Sequence, residues 1–200
     1  TFNGKRTMTA NALNSLLAVA AIFALASCTP PRQATFKGTA IDPPDPLPAQ
    51  SFTDHAGNPF PIAAPGKATM LAFGYATCST MCPSVLATFT GTDAQLGENV
   101  ERVRFGFITI DPERDTPEAL ADRLKQISNK ILGLRYGPEG DALLKQLGVG
   151  VEKVDQNGES YEYNHSGSIF LLDSTGAYRV HHGFGAKPED VAHDLRLLLQ

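Results

Sequence analysis

The segment "ATMLAFGYATCSTMCPSVLATF", residues 68–89, decides the fold. Its first nine residues form an apolar run of strand length, which is typical of a strand buried on both faces of a sheet. Apolar residues then recur near helical spacing after Pro83, and proline suits the first turn of a helix. The segment therefore predicts a buried strand followed by a helix, with Cys78 and Cys82 between them.

The rest of the chain continues this alternation. "VRFGFITI" (103–110) predicts a second buried strand, and "DTPEALADRLKQIS" (115–128) predicts a helix with a proline start signal. "SGSIFLLDSTGAYRVHHGFG" (166–185) predicts two strands joined by a turn, and "KPEDVAHDLRLLL" (187–199) predicts a closing amphipathic helix. The order indicates an α/β protein with a central mixed sheet flanked by helices. Paired cysteines between the first buried strand and its helix make this arrangement resemble the thioredoxin-like fold.

The N-terminal part predicts export and an anchor. A short basic region precedes an Ala/Leu-rich run that ends in Leu-Ala-Ser-Cys at Cys28, as in a secretory signal peptide. This ending resembles the lipobox of bacterial lipoproteins, which implies cleavage before Cys28 and acylation of its thiol; the alternative is a spare cysteine after small residues. The predicted organisation is a signal peptide over 1–28, a proline-rich tether over 29–50 and a folded domain over 51–200. We expect the domain to be anchored in the bacterial cell envelope on the periplasmic side, where thiols meet an oxidising environment.

Charge argues against a nucleic-acid partner. The chain has 17 Lys and Arg against 21 Asp and Glu, and the net charge is -4 at pH 7. No block rich in Lys and Arg interrupts the sequence. Because nucleic-acid-binding domains carry basic patches, we predict that DNA and RNA are not ligands of this protein.

Two thiols at this spacing have three interpretations. A helix that begins near the first cysteine would place both on one face, with Cβ atoms roughly 5–6 Å apart. That separation suits a disulfide after a small adjustment, and it lets both sulfurs reach one metal ion. A structural disulfide, a redox couple and half of a metal site thus all stay open, although the common redox motif has two intervening residues rather than three.

His165 stands immediately before the first strand of the terminal hairpin. In a thioredoxin-like sheet, the loop before that strand lies beside the helix N-terminus that bears the cysteines. Two thiolates and one imidazole form a soft set of three ligands that favours copper. A structural zinc site would want a fourth protein ligand, and the sequence offers no obvious one. A solvated histidine remains the alternative for this position.

Three motifs, "FGYATCSTMCP", "ITIDPERDTPE" and "YNHSGSIFLLDSTG", resemble in order and spacing those of the SCO/SenC copper-binding family. The resemblance covers residues 50–200 and implies a thioredoxin-like domain that binds copper through Cys78, Cys82 and His165. It also implies a role in building the binuclear copper site of a respiratory cytochrome c oxidase. The implied partners are the apo-oxidase copper subunit, an upstream copper donor protein and, through the lipid anchor, the membrane.

Four positions depart from the family pattern. The family usually has His before the first cysteine and Pro-Asp after it, where this chain has Thr77, Ser79 and Thr80. The residue before the ligand histidine is usually Asp, and here it is Asn164. Groups around metal ligands orient them and tune affinity, so the departures imply a copper affinity or a preferred oxidation state unlike the family norm. The resemblance also brings Asp111 near the site, so Asp111 and Asn164 are the candidate groups around the ligands.

Other polar residues favour structural roles. Asp115 or Thr116 is expected to cap the helix that starts at Pro117 rather than to act as a catalytic acid or base. His181 and His182 are adjacent in a predicted strand, so their side chains point to opposite faces and are expected on the surface.

Two functions of different classes follow. The first is a membrane-tethered copper-binding protein that delivers copper to, or prepares, the copper site of the oxidase. The second is an extracytoplasmic thiol–disulfide reductase in which Cys78 and Cys82 act on cysteines of a partner protein. A peroxidase of related fold is weaker, because nothing assigns a peroxidatic cysteine. His165 discriminates, because a pure reductase has no use for an imidazole at that point.

Overall fold

The structure, a computed structural model, describes Thr1 and residues 35–48, 51–135, 140–156 and 160–200. The chain divides into two units, Thr1–Thr35 and Phe36–Gln200, and the second contains the fold. The predicted signal peptide beyond Thr1, with its lipidation site Cys28, lies outside the described residues.

The described residues form ten strands and four α-helices. The strands are β1 (Thr39–Pro46), β2 (Ser51–Asp54), β3 (Pro59–Pro61), β4 (Ala68–Gly74), β5 (Val103–Thr109), β6 (Ile131–Arg135), β7 (Val151–Gln156), β8 (Ser160–His165), β9 (Ile169–Leu172) and β10 (Ala177–His182). The helices are α1 (Cys82–Leu96), α2 (Pro117–Lys125), α3 (Gly140–Gln146) and α4 (Pro188–Leu198), and a 3-10 helix, Gly97–Arg102, follows α1.

Eight strands form one mixed sheet in the order β1-β10-β9-β4-β5-β6-β2-β3. β4 pairs in parallel with β5 and antiparallel with β9, so it has a partner on each side. All seven residues of β4 are buried, because helices cover the centre of a mixed sheet on both faces. The predicted α/β class and the buried strand at residues 68–74 are confirmed.

Strand β1 corrects the predicted tether. Residues 39–46 pair antiparallel with β10 at the edge of the sheet, with a register shift between Ala40 and Asp45. The prolines at 43 and 44 lack an N–H group, which an edge strand tolerates. The prediction of a tether over 29–50 is therefore wrong for residues 36–48, and the folded part begins at Phe36 rather than at residue 51.

Asp194 of α4 ties this N-terminal edge to the domain. Its carboxylate accepts hydrogen bonds from the backbone N–H groups of Lys37 and Gly38, each at 2.8 Å. His182 Nε2 lies 3.0 Å from the same carboxylate, and the His182 side chain is only 5% exposed. The expected surface position is thus wrong for His182, because α4 covers its face of β10. His181 is half-buried against the ring of Phe170, at 5.6 Å between centroids.

The start of α2 follows the sequence prediction. The Thr116 side chain accepts a hydrogen bond from the backbone N–H of Ala119 at 3.2 Å, so Thr116 is the cap. Asp115 instead turns inward, where it is fully buried. Its carboxylate accepts hydrogen bonds from the Thr109 hydroxyl at 2.6 Å and from the backbone N–H of Ala76 at 2.9 Å. Asp115 thereby fastens the loop after β4, which holds the cysteines, to the end of β5.

Strands β7 and β8 form a separate two-stranded antiparallel sheet. Neither β8 nor β6 was predicted from the sequence. His165 is the last residue of β8 and pairs with Val151.

Candidate metal centre

The side chains of Cys78, Cys82 and His165 converge. Their ligand atoms, two Sγ and an imidazole nitrogen, all lie within 4.8 Å of one another. Cys82 is the first residue of α1, and Cys78 precedes the helix in the loop after β4. The spacing suggested that the two thiols share a helix face, but they do not, because the helix begins only at Cys82. A turn brings them together instead, with the backbone N–H of Cys78 donating to Tyr75 O at 3.1 Å.

The two thiols are free, buried and unequal. Cys78 is 2% exposed and Cys82 is 1% exposed. The backbone N–H of Cys82 donates to Cys78 Sγ at 3.4 Å. The hydrogen bond from the Cys82 thiol lowers the pKa of Cys78 in spite of burial, whereas that same bond and burial raise the pKa of Cys82. The two pKa shifts have opposite directions, which favours a thiolate at Cys78 and a proton on Cys82.

The imidazole of His165 faces the thiols with one nitrogen. Its Nε2 lies 3.8 Å from Cys82 Sγ. Its Nδ1 lies 3.0 Å from the backbone oxygen of Ser166, and a carbonyl oxygen only accepts, so Nδ1 donates there. The neutral ring then carries its lone pair on Nε2, on the side of Cys82. This is the usual way in which a hydrogen bond to one ring nitrogen orients the other as a metal ligand.

Buried groups enclose the site on the side of the sheet. The ring of Tyr75 meets the His165 ring edge-on at 5.9 Å between centroids, and its hydroxyl donates to the Glu162 carboxylate. Burial and that hydrogen bond raise the pKa of Tyr75. A Cβ atom at Gly74 would lie 2.7 Å from Cys82 Sγ, so the backbone approaches the sulfur closely there. The thiol pair is therefore packed against the end of β4 and shielded from water.

Asp111 and Asn164, the two residues predicted to surround the ligands, lie in different environments. Asp111 is fully buried, forms an ion pair with Arg114 and accepts a hydrogen bond from the Tyr161 hydroxyl at 3.1 Å. Asn164 is exposed, and its amide donates to the Glu152 carboxylate at 3.3 Å. Because neighbouring residues of a strand point to opposite faces, Asn164 turns away from the face of β8 that carries His165.

The other departures from the family pattern lie on the outside of the cysteine loop. Thr77, Ser79 and Thr80 are all exposed. They therefore alter the exposed surface of this loop rather than the packing of the two sulfurs.

Sequence reasoning missed the tyrosines around the site. Tyr75, Tyr161 and Tyr163 form a series of edge-to-face contacts, each with ring centroids 5.6 Å apart. The signal was present, because Tyr161, Tyr163 and His165 occupy alternate positions, as expected for one face of a strand.

Within the ranges that the structure describes, none of the helices has the length and apolar character needed to cross a membrane.

Comparison with known proteins identifies the family. A family model described as SCO1/SenC matches residues 43–200. An SCO2-like protein of Rickettsia conorii is 31% identical over 134 residues, which are 66% of this chain and 65% of that protein. The chain thus matches just under two thirds of the length of this relative.

Solved structures share the fold. Bradyrhizobium japonicum ScoI with copper bound has a TM-score of 0.66 and 27% sequence identity, over 80% of this chain and 97% of that chain. Apo Sco1 from Thermus thermophilus has a TM-score of 0.70 and 28% identity, over 84% of this chain and 99% of that chain. The thioredoxin-like fold is therefore confirmed, and this chain belongs to the SCO1/SenC family.

Proposed function

We propose that the protein binds one copper ion through Cys78, Cys82 and His165. The observation that carries this proposal is the convergence of two thiols and an imidazole within 4.8 Å. Thiolate sulfur suits Cu(I), and imidazole nitrogen suits Cu(II), so the set serves both oxidation states. In the described part of the chain, the potential ligands close enough to share an ion are these three, whereas a structural zinc site normally takes four.

The state of the ligands supports this assignment. The lowered pKa of Cys78 favours its thiolate form, and the contact of His165 Nδ1 with the Ser166 carbonyl leaves Nε2 facing Cys82. Binding at Cys82 requires loss of its proton, because the thiolate is the metal ligand. Copper uptake should therefore release protons and strengthen as the pH rises.

Copper titration of the reduced protein tests the proposal. A Cys28→Ser variant removes the third thiol of the chain, so any sulfur ligation comes from the pair. We expect one copper per chain and, for Cu(II), an intense sulfur-to-metal charge-transfer band. Oxidation of the pair to a disulfide should abolish binding, because its lone pairs are no longer those of a thiolate. A disulfide form that binds copper as tightly as the dithiol would contradict the assignment.

We further propose that the protein is tethered to the membrane by lipid on Cys28 and delivers copper to the apo-oxidase copper subunit. The resemblance of three sequence motifs to the SCO/SenC family supports this role, together with the copper-bound state of the related ScoI structure. Deletion of the gene should lower the copper content and activity of the cytochrome c oxidase. A wild-type copy of the gene should restore the copper content and the activity, whereas a copy with both Cys78→Ser and Cys82→Ser should restore neither.

A thiol–disulfide reductase is the second candidate, and the unequal thiols favour it. The Cys78 thiolate can attack a disulfide of a partner protein, which forms a mixed disulfide and releases one partner sulfur as a thiolate. That thiolate takes the Cys82 proton, and the Cys82 sulfur then closes a disulfide with Cys78 and releases the second partner sulfur. Two electrons pass to the partner, and a thiol reductant must restore the pair. Reduction of a model disulfide by the metal-free protein tests this activity, with Cys82→Ser expected to stop at the mixed disulfide.

A further inference from the structure

The hairpin of β7 and β8 carries His165, yet it lies outside the main sheet. In the described part of the chain, β8 pairs with β7 and with no strand of the eight-stranded sheet. A two-stranded hairpin is marginally stable in water on its own. The position of His165 relative to Cys78 and Cys82 therefore depends on side-chain contacts between β8 and the rest of the domain.

One face of β8 makes most of those contacts, and Glu162 of the other face accepts a hydrogen bond from the Tyr75 hydroxyl. Tyr161, Tyr163 and His165 are half-buried, whereas the residues between them are exposed. The Tyr75 ring touches both Tyr163 and His165, so it belongs to the site itself. Tyr161 lies at the far end, about 13 Å along the strand from His165.

Tyr161 is held by the ion pair of Asp111, which is buried, with Arg114, which is partly exposed. Its hydroxyl donates to Asp111 Oδ1 at 3.1 Å, and its backbone oxygen accepts from Arg114 Nη1 at 2.8 Å. The Arg114 guanidinium also lies 3.7 Å from the centroid of the Tyr161 ring and pairs with Asp111. The backbone N–H of Asp111 donates to Thr109 Oγ1 at 3.0 Å, which links the ion pair to the end of β5. One residue of the hairpin is thus fixed through its hydroxyl, its ring and its backbone.

We propose that Asp111, Arg114 and Tyr161, here named the hairpin clamp, are positioning residues that hold β8 and thereby place the His165 imidazole. This inference rests on the proposed copper binding at the thiols and His165. Asp111 acts through Tyr161 and not as a ligand, because its oxygens are engaged by Arg114 and the Tyr161 hydroxyl.

The clamp should matter unequally for the two oxidation states of copper. Cu(I) can be held by two thiolates, and the hairpin carries neither of them, because Cys78 lies in the loop after β4 and Cys82 at the start of α1. Cu(II) prefers more ligands and takes nitrogen readily, so it depends on the place of His165. A looser hairpin should therefore weaken Cu(II) binding more than Cu(I) binding.

Tyr161→Phe is the variant that tests the clamp. It removes the hydroxyl that reaches Asp111 and keeps the ring that contacts Arg114. Tyr178→Phe is the matched control, since it deletes the hydroxyl of a buried tyrosine in β10, whose ring packs on Phe170. Both substitutions are made in the Cys28→Ser chain, so that copper meets the same thiols.

Two measurements are compared. In the reduced, metal-free protein, hydrogen exchange over residues 160–165 should accelerate by about tenfold in Tyr161→Phe, the scale of one hydrogen bond to a charged group. Cu(II) affinity should fall by about tenfold, and Cu(I) affinity by less than about threefold. Tyr178→Phe should match the parent chain in the exchange of 160–165 and in both affinities.

Exchange over 160–165 that is unchanged by Tyr161→Phe would overturn the clamp. Equal losses of Cu(I) and Cu(II) affinity would overturn its action through His165. A parent chain that binds no copper would instead refute the proposed function, and the exchange result alone would then decide whether the clamp holds β8.

Discussion

Gly74, at the end of β4, is the point where the main chain comes closest to the Cys82 sulfur. A Cβ atom there would lie 2.7 Å from Cys82 Sγ and 2.5 Å from Cζ of Phe107, whereas ordinary van der Waals contact begins at 3.4 Å. In a close-packed core, Gly74→Ala must therefore move the sulfur by about 0.7 Å and the ring by about 0.9 Å, or else shift the strand itself. The backbone of Gly74 has no positive φ, so the change adds volume without a conformational penalty.

Two magnitudes follow from this displacement. Overpacking of a well-packed core costs about 1–3 kcal/mol, which is less than the 5–15 kcal/mol of a typical domain, so the variant should still fold. Metal sites hold ligand distances within about 0.2 Å, so a shift of several tenths of an ångström at Cys82 is large for copper. We expect copper affinity to fall by at least about tenfold, the lower end of the effect of changes around metal ligands.

Gly106→Ala is the matched control. A Cβ atom at Gly106 in β5 would lie 2.7 Å from a methyl group of Leu134 and 2.7 Å from one of Leu71, a comparable clash with apolar side chains only. Urea unfolding of the reduced, metal-free proteins should give similar losses of stability for the two variants. In competition with a chromophoric chelator, Gly106→Ala should bind copper within about twofold of the parent affinity, whereas Gly74→Ala should not. A Gly74→Ala protein that is destabilised like its control yet binds copper like the parent would refute the displacement of the Cys82 sulfur.

Three further predictions address the imidazole, the anchor and the acid stability of the domain. His165→Ala should lose stable Cu(II) binding and oxidase maturation yet keep disulfide reduction within about tenfold, or ~1.4 kcal/mol, of the parent; normal oxidase maturation would favour the reductase. Cys28→Ser should abolish acylation, which mass spectrometry of the mature protein checks; a wild-type N-terminus other than Cys28 would contradict the lipobox. Burial raises the pKa of Asp194, but hydrogen bonds from His182 and Gly38 outweigh it and keep the pKa below its usual value. A carboxylate of this kind stabilises the fold above its unfolded pKa, and that contribution is lost as the pH falls through its folded pKa. Asp194→Asn should therefore cost about 2 kcal/mol of stability at pH 7 and flatten the loss of stability below about pH 4. Urea unfolding at a series of pH values measures this, and parallel pH profiles in parent and variant would count against it.

The centre of the sheet could be predicted from sequence because its strands are buried on both faces. β4 and β5 are near-continuous apolar runs, because almost all of their side chains are buried on whichever face of the sheet they lie. Cys78 and Cys82 follow the first of these runs, so the position of the thiols after β4 could be predicted together with the strand.

The edges could not be predicted in this way. β1 contains prolines and mostly exposed residues, and only its pairing with β10 makes it a strand. β8 alternates exposed residues with tyrosines and His165, and its inward face is only half-buried. Local pattern carries little information where the stabilising contacts are made by partners distant in sequence.

The same limit applies around the metal site. The ligand types could be proposed from their motifs, but Asp111 meets Tyr161 across 50 residues. His182 was expected on the surface because the helix that carries its partner, Asp194, could be predicted but its packing against β10 could not. A buried polar residue is recognised from sequence only when its partner is near in the chain.

The two halves of the site are supported by different parts of the fold. The thiols lie in the loop after β4 and at the start of α1, and Asp115 fastens that loop to the core through Ala76 and Thr109. The imidazole stands on a hairpin that side chains hold to the domain. Since Cu(I) needs chiefly the thiolates and Cu(II) needs the imidazole as well, substitutions along β8 can alter the preference between oxidation states without disturbing the sulfur pair. We therefore expect the departure from the family pattern at Asn164, on the outer face of β8, to affect copper binding less than a change that moves the loop after β4.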